Sequence, residues 1–190
     1  MYQPEEDSYL MSRILQKKIP ELLKKNPDLK FLEIGAGSGI HLETAFNLGV
    51  KKQNIFSCDI DIKSVKHCQN LRFNCIHSDL FEQLKGKYDI IIFNPPYLPE
   101  DSREPKDSQL ATTGVKKGNE IINRFLSQAK SHLEKNGIIF LITSSLAEDI
   151  DFKKYGYNAK EIGCEKLFFE RLCVYKLVRK IFMASDVHEK

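Results

Sequence analysis

The chain has 190 residues, 42% hydrophobic and 29% charged, which suits one globular domain with a sizeable core. No apolar run is long enough to cross a bilayer as a helix, and no charged-then-apolar signal segment opens the sequence. The formal net charge of +3, from 29 basic and 26 acidic residues, lacks the clustered basic excess of a nucleic-acid binder and counts against direct nucleic-acid binding.

From Pro4 to Ile19, the residues Leu10, Met11, Ile14, Leu15 and Ile19 recur at helical spacing. Pro4 suits a first turn, and Glu5, Glu6 and Asp7 complement the helix dipole there. A short piece around Glu21–Lys25 is punctuated by Pro20 and Pro27. Leu29–Ile34 reads as a first strand ending in Gly35-Ala36-Gly37-Ser38-Gly39, and Ile40–Leu48 returns to a helical pattern that Gly49 can terminate. The unit then repeats. Asn54–Cys58 is strand-like, Asp59 and Asp61 follow, and Ile62–Leu71 is helical. Arg72–Ile76 and Tyr88–Phe93 make a third and a fourth strand. Ile121, Ile122, Phe125, Leu126, Ala129 and Leu133 form an amphipathic helix, closed by Gly137 before a fifth strand, Ile138–Thr143.

Alternating strands and helices predict an α/β fold, a mostly parallel sheet with helices on both faces. Tyr157–Cys164 and Arg171–Val178 read as a closing antiparallel hairpin. Residues 1–180 are expected to form a single domain, with 181–190 a polar tail. The stretch Leu98–Lys117 has almost nothing to bury and is too long for a compact connection, so it reads as a mobile lid over whatever lies at Asn94–Tyr97.

The five cysteines (58, 68, 75, 164 and 173) are odd in number and form no C-x-x-C pair, which predicts reduced thiols in a cytoplasmic protein. Cys68, Cys75 and His77 match no standard zinc spacing, so no metal site is expected. The histidines are scattered singly and suggest no nucleophile–base pair.

Three features carry chemistry. The loop Glu33-Ile34-Gly35-Ala36-Gly37-Ser38-Gly39 joins a strand to a helix, where glycines allow a tight turn and close backbone approach to a ligand. Its G-x-G-x-G spacing differs from the dinucleotide fingerprint, and Glu33 would sit badly beside a pyrophosphate but well beside an amino group. Asp59 ends the second strand, where such folds place a carboxylate on ribose hydroxyls. It could instead cap the next helix, a role open to Asp61. Asp79 follows the third strand and can accept from an exocyclic amine while Leu80 packs against a base. Finally, Asn94-Pro95-Pro96-Tyr97 ends the buried fourth strand. Two prolines fix the backbone behind an amide side chain, an arrangement suited either to gripping a flat polar group or to a plain proline turn.

The run Leu29–Tyr97 resembles the class I S-adenosylmethionine-dependent methyltransferases, whose sheet is seven-stranded and Rossmann-like. Asn94–Tyr97 resembles their amino-group-methylating branch. The opening Tyr2-Gln3-Pro4-Glu5-Glu6-Asp7-Ser8 is similar to that of the HemK-type glutamine N5-methyltransferases of archaea and eukaryotes, which modify the Gly-Gly-Gln loop of translation release factors. The resemblance puts Ser8, Glu33, Gly35, Asp59, Asp79, Leu80 and Asn94 around S-adenosylmethionine, with Gly37 and Gly39 shaping the same loop. It implies that Asn94 and the Pro95 carbonyl orient the substrate amide, with Pro96 stiffening the turn and Tyr97 packing on the amide plane. Ser8 departs from the Thr common in this branch but keeps the hydroxyl.

An adenine N6-methyltransferase acting on DNA or RNA is the alternative, since that base offers a similar conjugated amino group. The resemblance also implies a small zinc-binding activator protein docked near the edge strand Arg72–Ile76, where Phe73 and Ile76 would add apolar surface.

Overall fold

The computed structural model describes residues 4–96, 119–147 and 149–180. Tyr97, the expected lid and the expected tail lie outside the described residues.

The first helix, α1 (Glu6–Leu23), is longer than its apolar pattern suggested and runs through Pro20. Proline removes one intrahelical donor, yet Pro20 is exposed, so water can satisfy the carbonyl it leaves unbonded. Buried Ile19 before it, with half-buried Leu22 and Leu23 after it, holds the last turn on the core.

The parallel part of the sheet comprises β1 (Phe31–Ile34), β2 (Ile55–Asp59), β3 (Asn74–His77), β4 (Tyr88–Phe93) and β5 (Leu133–Ser144). Helices α2 (Ile40–Asn47), α3 (Ile62–Asn70) and α4 (Glu120–His132) connect or precede these strands. Antiparallel β6 (Tyr157–Lys166) and β7 (Arg171–Arg179) complete seven strands in the order β3-β2-β1-β4-β5-β7-β6.

Side chains on β1 and β4 alternate between two cores. Phe31, Ile90 and Ile92 join Leu10, Met11, Ile14 and Leu15 of α1 on one face. Leu32, Ile34, Ile91 and Phe93 join Ile122, Phe125 and Leu126 of α4 on the other. Strands covered on both faces are largely apolar for this reason, Glu33 being the buried exception on β1. At roughly 25 cal/mol per Å², each such buried Leu, Ile or Phe contributes about 1.5–3 kcal/mol.

Three expectations are corrected. Gly137 does not close a helix; α4 ends at His132 and the chain passes directly into β5, with Gly137 inside a bulged stretch between the pairs Tyr88–Leu133 and Ile90–Ile138. A Cβ there would meet Leu133 Cδ1 at 2.7 Å, so the close fold-back of the bulge is what selects glycine. Cys164 and Cys173 are not free thiols. They are direct partners across the β6–β7 ladder, Cα atoms 4.2 Å apart, and form a disulfide. Phe73 is not surface for a partner: it is buried, edge-on to Phe46 with Lys52 Nζ 4.7 Å above its ring.

Candidate active site

Chain order reverses beside β1, with β2 and β3 on one side and β4 and β5 on the other. Parallel strands that fan out this way leave a crevice beyond their carboxyl ends. Ile34 pairs with Phe93, so Gly35 and Asn94 leave the sheet side by side into that crevice.

Backbone N–H groups of Gly35 and Ala36 both donate to the Cys58 carbonyl (2.9 and 3.1 Å), pinning the glycine loop to β2. Gly39 enters α2 with φ +78°, a left-handed conformation, and a Cβ on it would press on Leu71 Cδ1 at 3.3 Å and Cys68 Sγ at 3.4 Å. Asp59 does more than mark a strand end. Its Oδ2 accepts from the Gly37 N–H (2.8 Å) and its Oδ1 from the Asp61 N–H (2.8 Å), which holds the loop at a fixed height above β2. Asp61 takes the capping role for α3, accepting from the Lys63 N–H at 2.9 Å. Burial raises the Asp59 carboxyl against the pull of those backbone donors.

Glu33 lies on the α1–α2 face of β1, fully buried, with Oε1 2.6 Å from His41 Nδ1. The other ring nitrogen, Nε2, donates to the Ser8 carbonyl at 3.0 Å. A carbonyl can only accept, so Nε2 keeps its hydrogen and the Glu33–His41 contact shares one proton. Burial pushes the Glu33 carboxyl upward while His41 draws it back. Burial alone would lower the His41 imidazole, but the Glu33 charge and hydrogen bond outweigh it and raise it. The second Glu33 oxygen, Oε2, is buried and finds no hydrogen-bond partner among the described residues.

Across the crevice, Asn94 Nδ2 donates to Asp7 Oδ2 at 2.9 Å. Its Oδ1 is buried and has no partner among the described residues. Pro95 is buried and Pro96 half-buried, so the turn is packed rather than swinging. Ser8, the neighbour of Asp7, is itself buried, and its Oγ lies 3.2 Å from Asp7 Oδ1. The first turn of α1 thus reaches both sides of the crevice: Asp7 to Asn94, Ser8 to His41.

The third strand end is arranged differently. Asp79 Oδ2 accepts from Arg124 Nη2 of α4 at 2.8 Å, so one carboxylate oxygen is already engaged. Leu80 sits at φ +49° with its side chain in the α4-side core. Of the expected residues, the structure gathers Ser8, Glu33, Gly35, Gly37, Gly39, Asp59 and Asn94 around the crevice, with Asp79 and Leu80 following β3; Tyr97 lies outside the described residues. Two residues were not anticipated, Asp7 and His41. From sequence, Asp7 reads as a helix-dipole charge within the family-like opening Tyr2–Ser8, with no site role, and His41 as one of several lone histidines. The signal for His41 was its place in the first turn after the glycine loop, eight residues from Glu33.

Among the described residues, the group of potential metal ligands close enough to share an ion is Glu161 with Cys164 and Cys173, whose sulfurs are joined to each other. No helix among the described residues is long and apolar enough to cross a membrane.

Residues 11–152 match the family described as "Methyltransferase small domain". A protein of Methanocaldococcus jannaschii named "Putative protein N5-glutamine methyltransferase MJ0928" is 36% identical over 92% of this chain and 89% of its own length. The mouse methyltransferase HEMK2 is 28% identical over 75% of this chain and 71% of its length. Among solved structures, the E. cuniculi Mtq2–Trm112 complex, described as responsible for methylating the eRF1 termination factor, superposes with a TM-score of 0.65 at 22% identity, covering 94% of this chain and 98% of that one.

The residues present fit the donor of this family, S-adenosylmethionine. Glu33 Oε2 is a buried acceptor without a partner among the described residues, suited to an ammonium group. Each Asp59 oxygen has a further lone pair for a ribose hydroxyl, and the glycine loop leaves room for close approach. The match to the small-domain model and the coverage of the archaeal relative make the chain an S-adenosylmethionine-dependent methyltransferase of the HemK-type family.

Proposed function

We propose that this enzyme methylates the side-chain amide nitrogen, N5, of a glutamine in the Gly-Gly-Gln loop of a translation release factor. The observation that carries the reading is the buried, unpartnered Asn94 Oδ1 beside the glycine loop. S-adenosylmethionine supplies an electrophilic sulfonium methyl group. Glu33, Asp59 and the glycine loop, with Ser8, Asp79 and Leu80 at its margins, are the residues we assign to holding it.

The chain's task toward the acceptor is harder, because an amide nitrogen has its lone pair delocalised into the carbonyl. Asn94 Oδ1 and the Pro95 carbonyl accept its two hydrogens, orient it, and stabilise the positive charge that grows on nitrogen. Pro96 keeps this turn stiff, and Tyr97, outside the described residues, is the residue we assign to the amide plane. No strong base is needed first, since the proton leaves after the nitrogen has become acidic. An aimed acceptor of this kind is worth on the order of a hundredfold or more in rate. The test is mass spectrometry of the release-factor glutamine after incubation with enzyme and donor, repeated with Asn94→Ala. The wild type should add one methyl group, and the variant should lose most of the product. Label in DNA or RNA with none in the release factor would turn the assignment to adenine N6.

We further infer a small protein partner at the β3 edge, on which the zinc-binding activator is the finer reading. Support comes from the position of β3 at the end of the sheet, its exposed Asn74 and His77, and the partnered state of the Mtq2 neighbour. With Phe73 buried, backbone pairing rather than an apolar patch would carry the contact. Residues 1–180 act as one methyltransferase domain in this reading, with 181–190 a polar tail. Co-expression with the activator should raise solubility and activity; full activity alone, unchanged by the activator, would overturn the partner.

A further inference from the structure

We infer that Asp7 is the positioning residue that sets which face of the Asn94 amide the substrate meets, an inference that rests on the acceptor role given to Asn94 above. Asp7 Oδ2 accepts from Asn94 Nδ2 at 2.9 Å, and Asp7 Oδ1 accepts from the Ser8 N–H (2.5 Å) and Ser8 Oγ (3.2 Å). A carboxylate only accepts, so the atom of Asn94 that faces it must be the amino nitrogen. Oδ1 is thereby turned away from Asp7, where it is buried without a partner among the described residues. With the amide reversed, a donor would stand where the substrate's own N–H must be received. The wrong rotamer would repel the substrate amide, and a half-populated one would halve the competent enzyme at best.

The arrangement makes an unusual forecast about conservative change. Asparagine at position 7 keeps the shape of aspartate but has one oxygen where the Ser8 N–H and Asn94 Nδ2 now meet two. The Ser8 backbone N–H, set in the first turn of α1, cannot turn away, whereas the Asn94 amide can rotate by half a turn. Asp7→Asn therefore drives Asn94 into the wrong orientation. Asp7→Ala merely leaves both orientations open. The isosteric variant should be the slower enzyme, an order that loss of packing does not produce.

The experiment uses the full chain with its activator and release-factor substrate, comparing wild type, Asp7→Asn, Asp7→Ala, Asn94→Ala and Asp7→Asn with Asn94→Ala. It reads kcat, KM for the protein substrate, donor affinity by calorimetry, and thermal midpoint. Asp7→Asn should lower kcat on the order of 10- to 100-fold, with donor affinity and midpoint close to wild type. Asp7→Ala should lose less kcat, and the double variant should be no slower than Asn94→Ala alone. Near-wild-type kcat in Asp7→Asn, a lower kcat in Asp7→Ala than in Asp7→Asn, or multiplied losses in the double variant would each overturn the role of Asp7. Undiminished activity in Asn94→Ala would overturn the acceptor reading itself, and the two failures are distinct.

Discussion

Glu33 and His41 form a buried pair holding one proton between them, and that has a consequence for stability as well as for binding. Both groups are raised, Glu33 from 4.5 and His41 from 6.5, so the folded chain binds more protons than the unfolded chain above those values. Stability contributed by His41 is complete below about 6.5 and is lost as pH rises through the higher folded value. Thermal midpoints should therefore fall from pH 6 toward pH 9, and His41→Gln should flatten that slope while costing about 1–3 kcal/mol. Glu33→Gln should leave the fold intact yet weaken donor binding at least about tenfold by calorimetry, since an amide is a poorer partner for an ammonium group than a carboxylate. The carboxylates at the strand ends were legible from sequence because a short motif places each one. His41 and Asp7 were not, because their roles arise where α1 crosses over α2, and no local pattern encodes that crossing.

Elements were legible where one physical signal dominated. Tyr88–Phe93 is the strand that its β-branched and aromatic run Ile90–Phe93 predicted, and β3 is the sheet edge. The misreadings come from residues whose usual meaning is overruled by packing. Pro20 stays within a helix because the core grips the turns on either side, and Gly137 serves a bulge rather than a helix end. Gly39 keeps its ordinary meaning: Gly39→Ala should destabilise by about 1–2 kcal/mol through its positive φ, lowering the thermal midpoint by several degrees and loosening the donor loop. The β6–β7 hairpin was predicted, but its disulfide was not. Parity of the cysteine count says nothing about which two residues face each other across a ladder.

At the scale of the molecule, that disulfide closes a loop of nine residues in sequence separation, for which chain entropy gives at most about 2.5 kcal/mol. Paired replacement, Cys164→Ser with Cys173→Ser, or added reductant should lower the thermal midpoint with kcat unchanged, because the pair lies in the β6–β7 ladder, with β4 and β5 between it and β1. The α1 helix ties this hairpin to the site. Arg13 pairs with Glu165, 152 residues away in sequence, and Ile14 packs so closely on Gly163 that a Cβ there would lie 2.7 Å from its Cδ1. During synthesis, α1 emerges first and its floor on β6 emerges almost last. Asn94 and His41, the partners of Asp7 and Ser8, emerge well before it, but α1 lacks part of its packing surface until β6 arrives, so the crevice should settle late on the ribosome. A nascent chain halted before Tyr157 would carry every residue assigned to donor and acceptor, with α1 held by α2 and the β1–β4 face but not by β6. Pulse proteolysis of such stalled chains should find α1 more open to cleavage than once residues through Arg179 have been released.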